Sequence, residues 1–397
     1  MSETSPLDWL RDALEQWDEQ HLRRRLRVRS GPQQPTLTYG EKTFTNFGAN
    51  DYLNLANDPR IAEAVRRAVD RQGWGSGASP LISGHTEQHE SLAHALAEFE
   101  QTEAALLFTS GFAANAGTIP ALVGRDDTIF ADQKNHASLI DGCRLSGAAI
   151  SIYRHGDVDH LESLLQQSTN CGKRLIVTDS LFSMDGDFAP LKQIALLRAR
   201  FDCMLLIDEA HATGVFGESG RGVAERMGVE SCIDIKIGTL SKALAGCGGF
   251  VCGEQRLMDW LTNRARSYVF STSPPAAAVA AANAALEIVK QEPERRTLLL
   301  ERARALRDAV RELGFHTGET ISQIIPLRIG SADRVMHFAE QLMEAGFFVP
   351  AIRPPSVPEG ECLLRISLSY GHDESTISHL IDALSRLSKA PSEVTGV

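Results

Sequence analysis

The sequence predicts an α/β protein: a large domain with a mainly parallel, seven-stranded sheet, followed by a smaller α+β domain. Seven short apolar runs alternate with segments in which apolar residues return every three or four positions, the spacing of an amphipathic helix. Apolar runs without polar alternation are typical of parallel strands that are covered on both faces. The predicted strands are 104–108, 128–131, 149–153, 175–178, 204–207, 233–238 and 249–252.

The predicted helices follow the same pattern and set the domain boundaries. They are 7–28, 60–72, 87–100, 138–146, 191–200, 276–291, 294–313 and 374–388, with two further strands near 324–329 and 364–368. The change to long helices after a Pro-Pro pair marks the start of the second domain. We therefore divide the chain into an N-terminal helical segment (1–46), a large domain (47–275) and a C-terminal small domain (276–397).

Composition and charge exclude several classes of protein. Of the 397 residues, 43% are hydrophobic and 23% are charged, which is ordinary for a globular protein. The net charge of -11 disfavours nucleic acid as a partner, because a phosphate backbone is itself negative. The most apolar segment, 274–289, is mostly alanine and contains Asn283, so we expect no membrane span and a cytoplasmic location.

Neither the cysteines nor the histidines follow a metal-binding pattern. The seven cysteines are spread along the chain without a C-x-x-C pair. His85, His89 and His94 lie close together, but their spacing departs from H-E-x-x-H. We therefore expect no metal site.

A basic segment between His21 and Ser30 contrasts with the acidic chain. It follows the acidic helical stretch 8–19, which argues against a mitochondrial transit peptide because such peptides are poor in acids. Two interpretations stay open, a solvated helix face and a basic rim for an anionic substrate. The arginines of this segment are Arg23, Arg24, Arg25, Arg27 and Arg29.

Lys242 is the strongest candidate for a catalytic residue. A predicted strand ends in T-L-S-K-A-L-A-G-C-G-G, so that Thr239 and Ser241 precede the lysine and a glycine cluster follows it. The two hydroxyl groups can bind a phosphate, and the glycines allow the backbone to approach a bound ring. An amine removed from bulk water has a lowered pKa and can form a Schiff base. A lysine without these neighbours is more often a solvated surface charge.

Asp208 and His211 form a second motif at the end of the preceding strand, in M-L-L-I-D-E-A-H-A-T-G. A carboxylate in this place can keep the pyridine nitrogen of pyridoxal 5'-phosphate (PLP) protonated, and the cationic ring then withdraws electrons from a substrate. His211 is predicted to bond the ring oxygen or a substrate carboxylate, or else to be a loop histidine bonded to backbone. The motif becomes informative because it lies one strand before Lys242.

Two loop-to-helix junctions supply further candidates. T-S-G-F-A-A-N follows the strand 104–108, and the N–H groups at a helix start, with Gly111 allowing close approach, are suited to a phosphate. His136, in N-H-A-S, is placed either to stack on a cofactor ring or simply to begin a helix.

Two polar residues complete the candidate pocket. Ser183, in F-S-M-D-G-D, can donate a hydroxyl to the ring's edge. Arg353, in A-I-R-P-P-S-V-P, is either a carboxylate-binding guanidinium held between rigid turns or an exposed loop charge.

Together these segments resemble the α-oxoamine synthases, PLP enzymes with the aspartate-aminotransferase fold (fold type I). The resemblance covers about 47–372 and includes N-D-Y-L (50–53), S-G-F-A-A-N, F-S-M-D-G-D, D-E-A-H-A-T-G, T-L-S-K-A-L and F-S-T-S-P-P (270–275). It implies that PLP is bound by Lys242, Asp208, His136, Ser183, His211, Gly111, Phe112 and Thr239. It further implies that Arg23, Asn50 and Arg353 bind substrate, and that Ser271 and Thr272 complete the phosphate site of a second subunit in a homodimer.

Within the family, D-G-D-F-A-P-L, G-V-F-G-E-S-G-R-G and A-I-R-P-P-S-V-P-E-G are most similar to the members that condense L-alanine with pimeloyl-CoA or pimeloyl-carrier protein in biotin synthesis. The alternatives are 2-amino-3-oxobutyrate CoA ligase, 5-aminolevulinate synthase and serine palmitoyltransferase, a noncatalytic subunit with this fold, and a nucleotide-binding enzyme. The last depends on G-W-G-S-G-A, which lacks the G-x-G-x-x-G spacing. The sequence has Pro80 where the family commonly has arginine.

Overall fold

The computed structural model describes residues 5–168 and 172–389, which form two compact units. The first unit comprises Met1–Asn50, Met184–Gly186 and Leu299–Val397, and the second comprises Asp51–Ser183 and Asp187–Leu298, as far as these ranges are described. The division into domains at 46/47 and 275/276 stays a prediction.

The strands and helices are numbered along the chain. The strands are β1 (Arg29–Ser30), β2 (Thr36–Tyr39), β3 (Lys42–Asn46), β4 (Ala104–Phe108), β5 (Thr128–Asp132), β6 (Ala149–Tyr153), β7 (Arg174–Asp179), β8 (Met204–Asp208), β9 (Ile235–Thr239), β10 (Gly249–Gly253), β11 (Ile324–Gly330), β12 (Phe347–Phe348), β13 (Ala351–Ile352) and β14 (Cys362–Ser367). The helices are α1 (Trp9–Glu19), α2 (Pro59–Gln72), α3 (Glu87–Glu100), α4 (Gly111–Leu122), α5 (Ala137–Ser146), α6 (Val158–Gln167), α7 (Leu191–Arg200), α8 (Val223–Met227), α9 (Gln255–Arg264), α10 (Arg266–Val269), α11 (Ala276–Gln291), α12 (Glu294–Glu312), α13 (Ala332–Glu344) and α14 (Glu374–Lys389).

The seven-stranded sheet of the second unit has the order β4-β10-β9-β8-β7-β5-β6. Its members are the seven predicted strands, each within two residues of its predicted bounds. The pairs from β9 through β6 are parallel, whereas β10 runs antiparallel to both β4 and β9. The predicted fold class, a mainly parallel seven-stranded α/β sheet, is confirmed.

The apolar runs form strands because the interior strands of this sheet are covered on both faces, and every residue of β5, β9 and β10 is buried. Leu206 on β8 and Ile237 on β9 are fully buried in a cluster with Ile119 of α4 and Leu139 of α5. At about 25 cal/mol for each Å² of apolar surface removed from water, such clusters are the main stabilising contribution to the unit. A rigid sheet then fixes the loops that follow its strands.

The first unit contains two smaller sheets, with orders β1-β2-β3-β12 and β11-β14-β13. The predicted strands near 324–329 and 364–368 are found as β11 and β14. The same unit contains a helix that was not predicted, α13. It is amphipathic and buries Val335 and Leu342.

The predicted helix 7–28 is wrong beyond Glu19. Helix α1 ends there, and His21 has a φ of 56°, in the left-handed region that interrupts a right-handed helix. No residue of α1 is buried, so tertiary packing does not extend it. The segment 1–46 is therefore only partly helical, because β1, β2 and β3 follow within it.

Candidate active site

The predicted cofactor-binding residues lie in the second unit, and all but Ser271 and Thr272 lie at the ends of strands or in the loops and helix starts that follow them. Strand β8 ends at Asp208 and β9 ends at Thr239, three residues before Lys242. The carboxyl ends of parallel strands share one edge of a sheet, the usual place for a ligand. The other predicted residues in this unit are Gly111, Phe112, His136, Ser183, His211, Ser271 and Thr272.

Glycine at position 249 brings the ends of β4 and β9 together. Gly249 pairs with Phe108 on β4 and with Thr239 on β9. A Cβ at position 249 would lie 2.5 Å from the carbonyl oxygen of Ser110 and 2.6 Å from the nitrogen of Gly111, so the approach requires glycine. A Cβ on Gly111 would contact Thr239 at 3.5 Å. The start of α4 therefore lies against the end of β9.

The start of α4 has the features of an anion-binding site. The hydroxyl of Ser110 caps the helix by accepting a hydrogen bond from the N–H of Ala113 at 3.0 Å. The N–H groups of Gly111 and Phe112 are the first two of the helix and have no carbonyl one turn earlier to bond. The helix dipole places partial positive charge at the same point. These groups fit a phosphate.

Two hydroxyl groups lie beside this helix start. Thr239 Oγ1 donates to the carbonyl oxygen of Gly248 at 3.0 Å and lies 2.8 Å from Ser241 Oγ. Since the single proton of Thr239 is used by Gly248, the pair is ordered so that Ser241 donates to Thr239. Lys242 is half-buried one residue later. The predicted phosphate hydroxyls and the predicted Schiff-base lysine thus lie on one turn.

Asp208 is a buried carboxylate with two donors. Its Oδ2 accepts from Asn115 Nδ2 at 2.6 Å, and its Oδ1 accepts from the N–H of Ala210 at 2.8 Å. Hydrogen bonds to a carboxylate favour its charged form. Each oxygen has further lone-pair capacity, so the group can also accept from a protonated ring nitrogen.

His136 begins α5 and contacts the same network. Its ring Nδ1 lies 2.7 Å from Ser138 Oγ and accepts from the backbone N–H of Ser138 at 3.2 Å. The backbone N–H of His136 donates to Asp179 Oδ2 at 2.7 Å. The surrounding protein lowers the pKa of His136 by desolvation, and the positive charge of Lys242 adds to this, against the opposing effect of Asp208. The residue nevertheless remains exposed, as a ring that stacks on a ligand must be. Burial raises the pKa of Asp179 well above its usual range.

His211 is fixed by a residue that the sequence analysis quoted in a motif but assigned no role. The hydroxyl of Tyr52 lies 2.6 Å from His211 Nδ1, and both residues are buried. Whether His211 bonds a ring oxygen or a substrate carboxylate, or is a loop histidine bonded to backbone, stays a prediction. The signal was the N-D-Y-L motif, which contains Tyr52.

Three further predicted residues lie in turns of the second unit. Ser183 is half-buried in the turn after β7, between Leu181 and Phe188, which form an isolated antiparallel bridge. Ser271 is half-buried and Thr272 is exposed in the segment between α10 and α11. Their roles stay predictions.

The predicted substrate residues Arg23, Asn50 and Arg353 lie in the first unit. Arg353 donates to the carbonyl oxygen of His21, and Arg24 donates to that of Pro354 at 3.1 Å, so the basic segment packs on the turn that carries Arg353. Desolvation lowers the pKa of Arg353, and the neighbouring Arg24 adds to this.

The remaining two substrate candidates already have protein partners. Arg23 pairs with Asp18 at 2.6 Å, and Asn50 Oδ1 accepts from Arg365 at 3.2 Å. The alternative of a solvated helix face is wrong as to the helix, since the basic segment follows the end of α1. Four of its arginines are nevertheless exposed: Arg24, Arg25, Arg27 and Arg29.

Two residues of the site were missed as participants. Asn115 and Ser138 are fully buried, and both stand inside quoted motifs, S-G-F-A-A-N and N-H-A-S. For Asn115 the signal is a polar side chain in a largely apolar helix, because a buried polar group needs hydrogen-bond partners. Helix α5 also contains Asp141 and Arg144, so its sequence carries no such signal for Ser138.

The described residues contain no group of three His, Cys, Asp or Glu side chains placed to hold a metal ion. Every helix within 5–168 and 172–389 is too short or too polar to span a bilayer. Pro80 begins a short π-helical turn, Pro80–Gly84.

The fold and this arrangement at the strand ends define a class of protein. The family model for aminotransferase class I and II matches residues 42–384. The chain belongs to the aminotransferase class I and II family. A solved serine palmitoyltransferase from S. paucimobilis with bound PLP has a TM-score of 0.92 and 29% sequence identity, and the match covers 98% of this chain and 99% of that one.

The relatives narrow this class. An 8-amino-7-oxononanoate synthase of Geobacter sulfurreducens is 47% identical over 95% of this chain and 97% of its own. The solved 8-amino-7-oxononanoate synthase of Francisella tularensis has a TM-score of 0.76 and 27% identity, covering 87% of this chain and 98% of that one. Within its family, the chain belongs with the 8-amino-7-oxononanoate synthases, which confirms the resemblance.

Proposed function

We propose that this chain is a PLP-dependent acyltransferase that condenses L-alanine with pimeloyl-CoA or pimeloyl-carrier protein. The products are 8-amino-7-oxononanoate, CO2 and the free thiol, in biotin synthesis. The observation that carries the proposal is 47% identity over 95% of the chain to a relative of that name. Serine palmitoyltransferase stays the second candidate, since its structure aligns at a TM-score of 0.92 with lower sequence identity.

The residues present fit the cofactor. The start of α4, with the N–H groups of Gly111 and Phe112, suits its phosphate, and Thr239 can add a hydroxyl if its proton turns from Gly248. Asp208 suits the ring nitrogen, and Lys242 supplies the amine that holds the aldehyde carbon. When bound, PLP supplies an electron sink for negative charge at the amino acid's Cα.

The chain's own residues then move protons and orient the substrate. With an amino acid bound, the amine of Lys242 would be the base that removes the proton from Cα and later returns one. His136 would cover one face of a bound ring, and Ser183 and His211 would contact its polar edge. His211 is held for this by Tyr52 at 2.6 Å.

The guanidinium groups of Arg353 and Arg23 are suited to carboxylates, and Asn50 completes the substrate side. Arg353 already has its pKa lowered by desolvation, so a substrate carboxylate would compensate an unfavourable environment. L-Alanine and the pimeloyl chain each bring one such carboxylate.

The test supplies amino acids and acyl thioesters in separate pairs and measures thiol release with a chromogenic disulfide. Turnover with L-alanine and pimeloyl-CoA is the expected result, with no turnover when either is omitted. Turnover with L-serine and palmitoyl-CoA would transfer the assignment to the second candidate, and glycine with acetyl-CoA would indicate a 2-amino-3-oxobutyrate CoA ligase.

The attachment site has its own test. Borohydride reduction followed by peptide mapping is expected to place the phosphopyridoxyl label on Lys242. Lys290 provides a matched control, because its ammonium lies 3.1 Å from Glu287 on the exposed face of α11. A label elsewhere, or a protein that shows no cofactor absorbance after addition of PLP, would contradict the proposal and favour a noncatalytic subunit.

We further propose a cytoplasmic homodimer in which Ser271 and Thr272 of one subunit complete the phosphate site of the other. Coexpression of Lys242→Ala with a Ser271→Ala/Thr272→Ala chain tests this. A shared site predicts that the mixed dimers recover one intact active site, whereas sites built from single chains predict no recovery.

A further inference from the structure

Asn115 uses both of its amide protons in hydrogen bonds to other side chains. Its Nδ2 lies 2.6 Å from Asp208 Oδ2 and 2.9 Å from Ser138 Oγ. The orientation of the amide follows from the carboxylate, because the reversed amide would place Oδ1 against another acceptor. A primary amide has two protons, so Asp208 and Ser138 each receive one. All three side chains are buried.

The hydrogen bond from Asn115 determines which way Ser138 bonds to His136. Since Ser138 Oγ accepts from Asn115, its own proton is left for His136 Nδ1 at 2.7 Å. The backbone N–H of Ser138 also points at this nitrogen, at 3.2 Å, and a backbone N–H can only donate a hydrogen bond. Two donors facing one ring nitrogen require that the nitrogen carries no proton.

We propose that Asn115 and Ser138 are positioning residues that set the proton arrangement of the active site. They hold Asp208 as an acceptor and fix His136 as the neutral tautomer with its proton on Nε2. His136 thereby offers a neutral N–H donor to a bound substrate or cofactor. The functional consequence rests on the function proposed above, whereas the tautomer follows from the contacts alone.

The titratable groups that face His136 are Asp208, Asp179 and Lys242, on or after β8, β7 and β9. A proton on Nδ1 would be directed at the two donors of Ser138, which opposes the imidazolium form. The lowered pKa of His136 agrees with this. The device therefore keeps His136 neutral beside Asp208, whose negative charge would otherwise raise the pKa of the imidazole.

The first experiment reads the tautomer directly. Long-range ¹H–¹⁵N spectra of the full chain labelled with ¹⁵N-histidine, before and after loading with PLP, identify His136 by its loss in His136→Gln. The expected pattern is a protonated Nε2 and an unprotonated Nδ1 at neutral pH. A proton on Nδ1 overturns the proposal whether or not the chain shows any synthase activity.

The second experiment removes the donor. Ser138→Ala is expected to raise the pH at which His136 titrates, and with it the acid limb of kcat/KM, by about one pH unit. Ser138→Thr keeps a hydroxyl and should restore the original value. Ser146→Ala is the matched control, because its hydroxyl lies at the other end of α5, where it donates to the carbonyl oxygen of Cys143 and accepts from the N–H of Ala148.

An unchanged titration of His136 in a folded Ser138→Ala protein would contradict the proposal. Thermal unfolding shows whether each variant folds, and the wild-type tautomer tests the idea without any variant. Failure of every amino acid and thioester pair to react, with the predicted tautomer present, would instead count against the proposed function alone.

Discussion

The regions around His136 and His155 make an informative comparison. Each histidine follows one of two neighbouring parallel strands, β5 and β6, and each shortly precedes or begins a helix. Desolvation lowers the pKa of His136, whereas Asp132 and Asp187 overcome desolvation and raise the pKa of His155 to about 9. The same residue type at equivalent places is therefore neutral in one region and cationic in the other.

The difference arises from the hydrogen-bond partners. His155 donates from Nδ1 to Asp132 at 2.9 Å and from Nε2 to Asp187 at 3.0 Å, and its ring meets Phe182 edge-on with centroids 4.4 Å apart. His136 faces donors at Nδ1 instead. Because Asp187 and Phe182 belong to the turn region that carries Ser183, His155 has a structural role there. We call the contacts of His155 with Asp132 and Asp187 the carboxylate clamp, or clamp. The hydrogen-bond donors that face His136 favour a neutral imidazole instead.

The largest expected effect comes from a substitution of Asp208, in the region around His136. Asp208→Asn removes the charge while keeping the shape, so we expect kcat/KM to fall by about 10²- to 10³-fold, in line with the loss of a preorganised electrostatic group. Steady-state thiol release measures this. Asp187→Asn, the corresponding change in the other region, should retain most of the activity, and equal losses in both variants would remove the distinction.

The second prediction concerns the pH dependence of folding. The folded-state pKa of His155 is raised above its ordinary value of 6.5, so its stabilisation is complete below about pH 6.5 and is lost as the pH rises through about 9. The difference corresponds to about 3 kcal/mol of unfolding free energy. Urea unfolding from pH 6 to 10 measures it, and subtracting the curve of His155→Gln isolates this residue. A constant difference between the two curves would contradict the clamp.

A third prediction separates close packing from backbone conformation. Gly249→Ala introduces a Cβ 2.5 Å from Ser110 O, and we expect a loss of about 1–3 kcal/mol in stability together with weaker PLP binding. Gly156, next to His155, has a φ of 66° and open space around it, so Gly156→Ala should cost about 1–2 kcal/mol from conformation alone. Cofactor titration distinguishes the two, since only the first variant disturbs the proposed phosphate site at the start of α4.

The smallest expected effect concerns an exposed ion pair, which serves as a contrast to the enclosed carboxylates of the clamp. Arg66 and Glu63 form an ion pair at 3.1 Å, with side chains 68% and 51% exposed. Solvent screens this pair, and Arg66→Ala should change the unfolding free energy by less than about 0.5 kcal/mol. A loss as large as that of His155→Gln would mean that enclosure of the carboxylates does not explain the strength of the clamp.

Much of the fold follows from local patterns. The seven strands of the large sheet are recognised because parallel strands are continuous apolar runs, and Lys242, Asp208 and His136 are recognised because they follow such runs. The end of α1 at Glu19 was missed because the periodic pattern continues past it. Unburied helices depend on weak local preferences, and no tertiary contact corrects the extrapolation.

By itself, the sequence determined the α/β class, the order of the strands along the chain, the lysine that follows β9 and the family. Only the tertiary structure decided which side chains meet: Asn115 reaches Asp208 across 93 residues, and Tyr52 reaches His211 across 159. It also decided that the pKa of His136 is lowered and that the pKa of His155 is raised. The physical reason is that hydrogen-bond direction and protonation depend on partners within about 3 Å, and such partners come from distant parts of the chain.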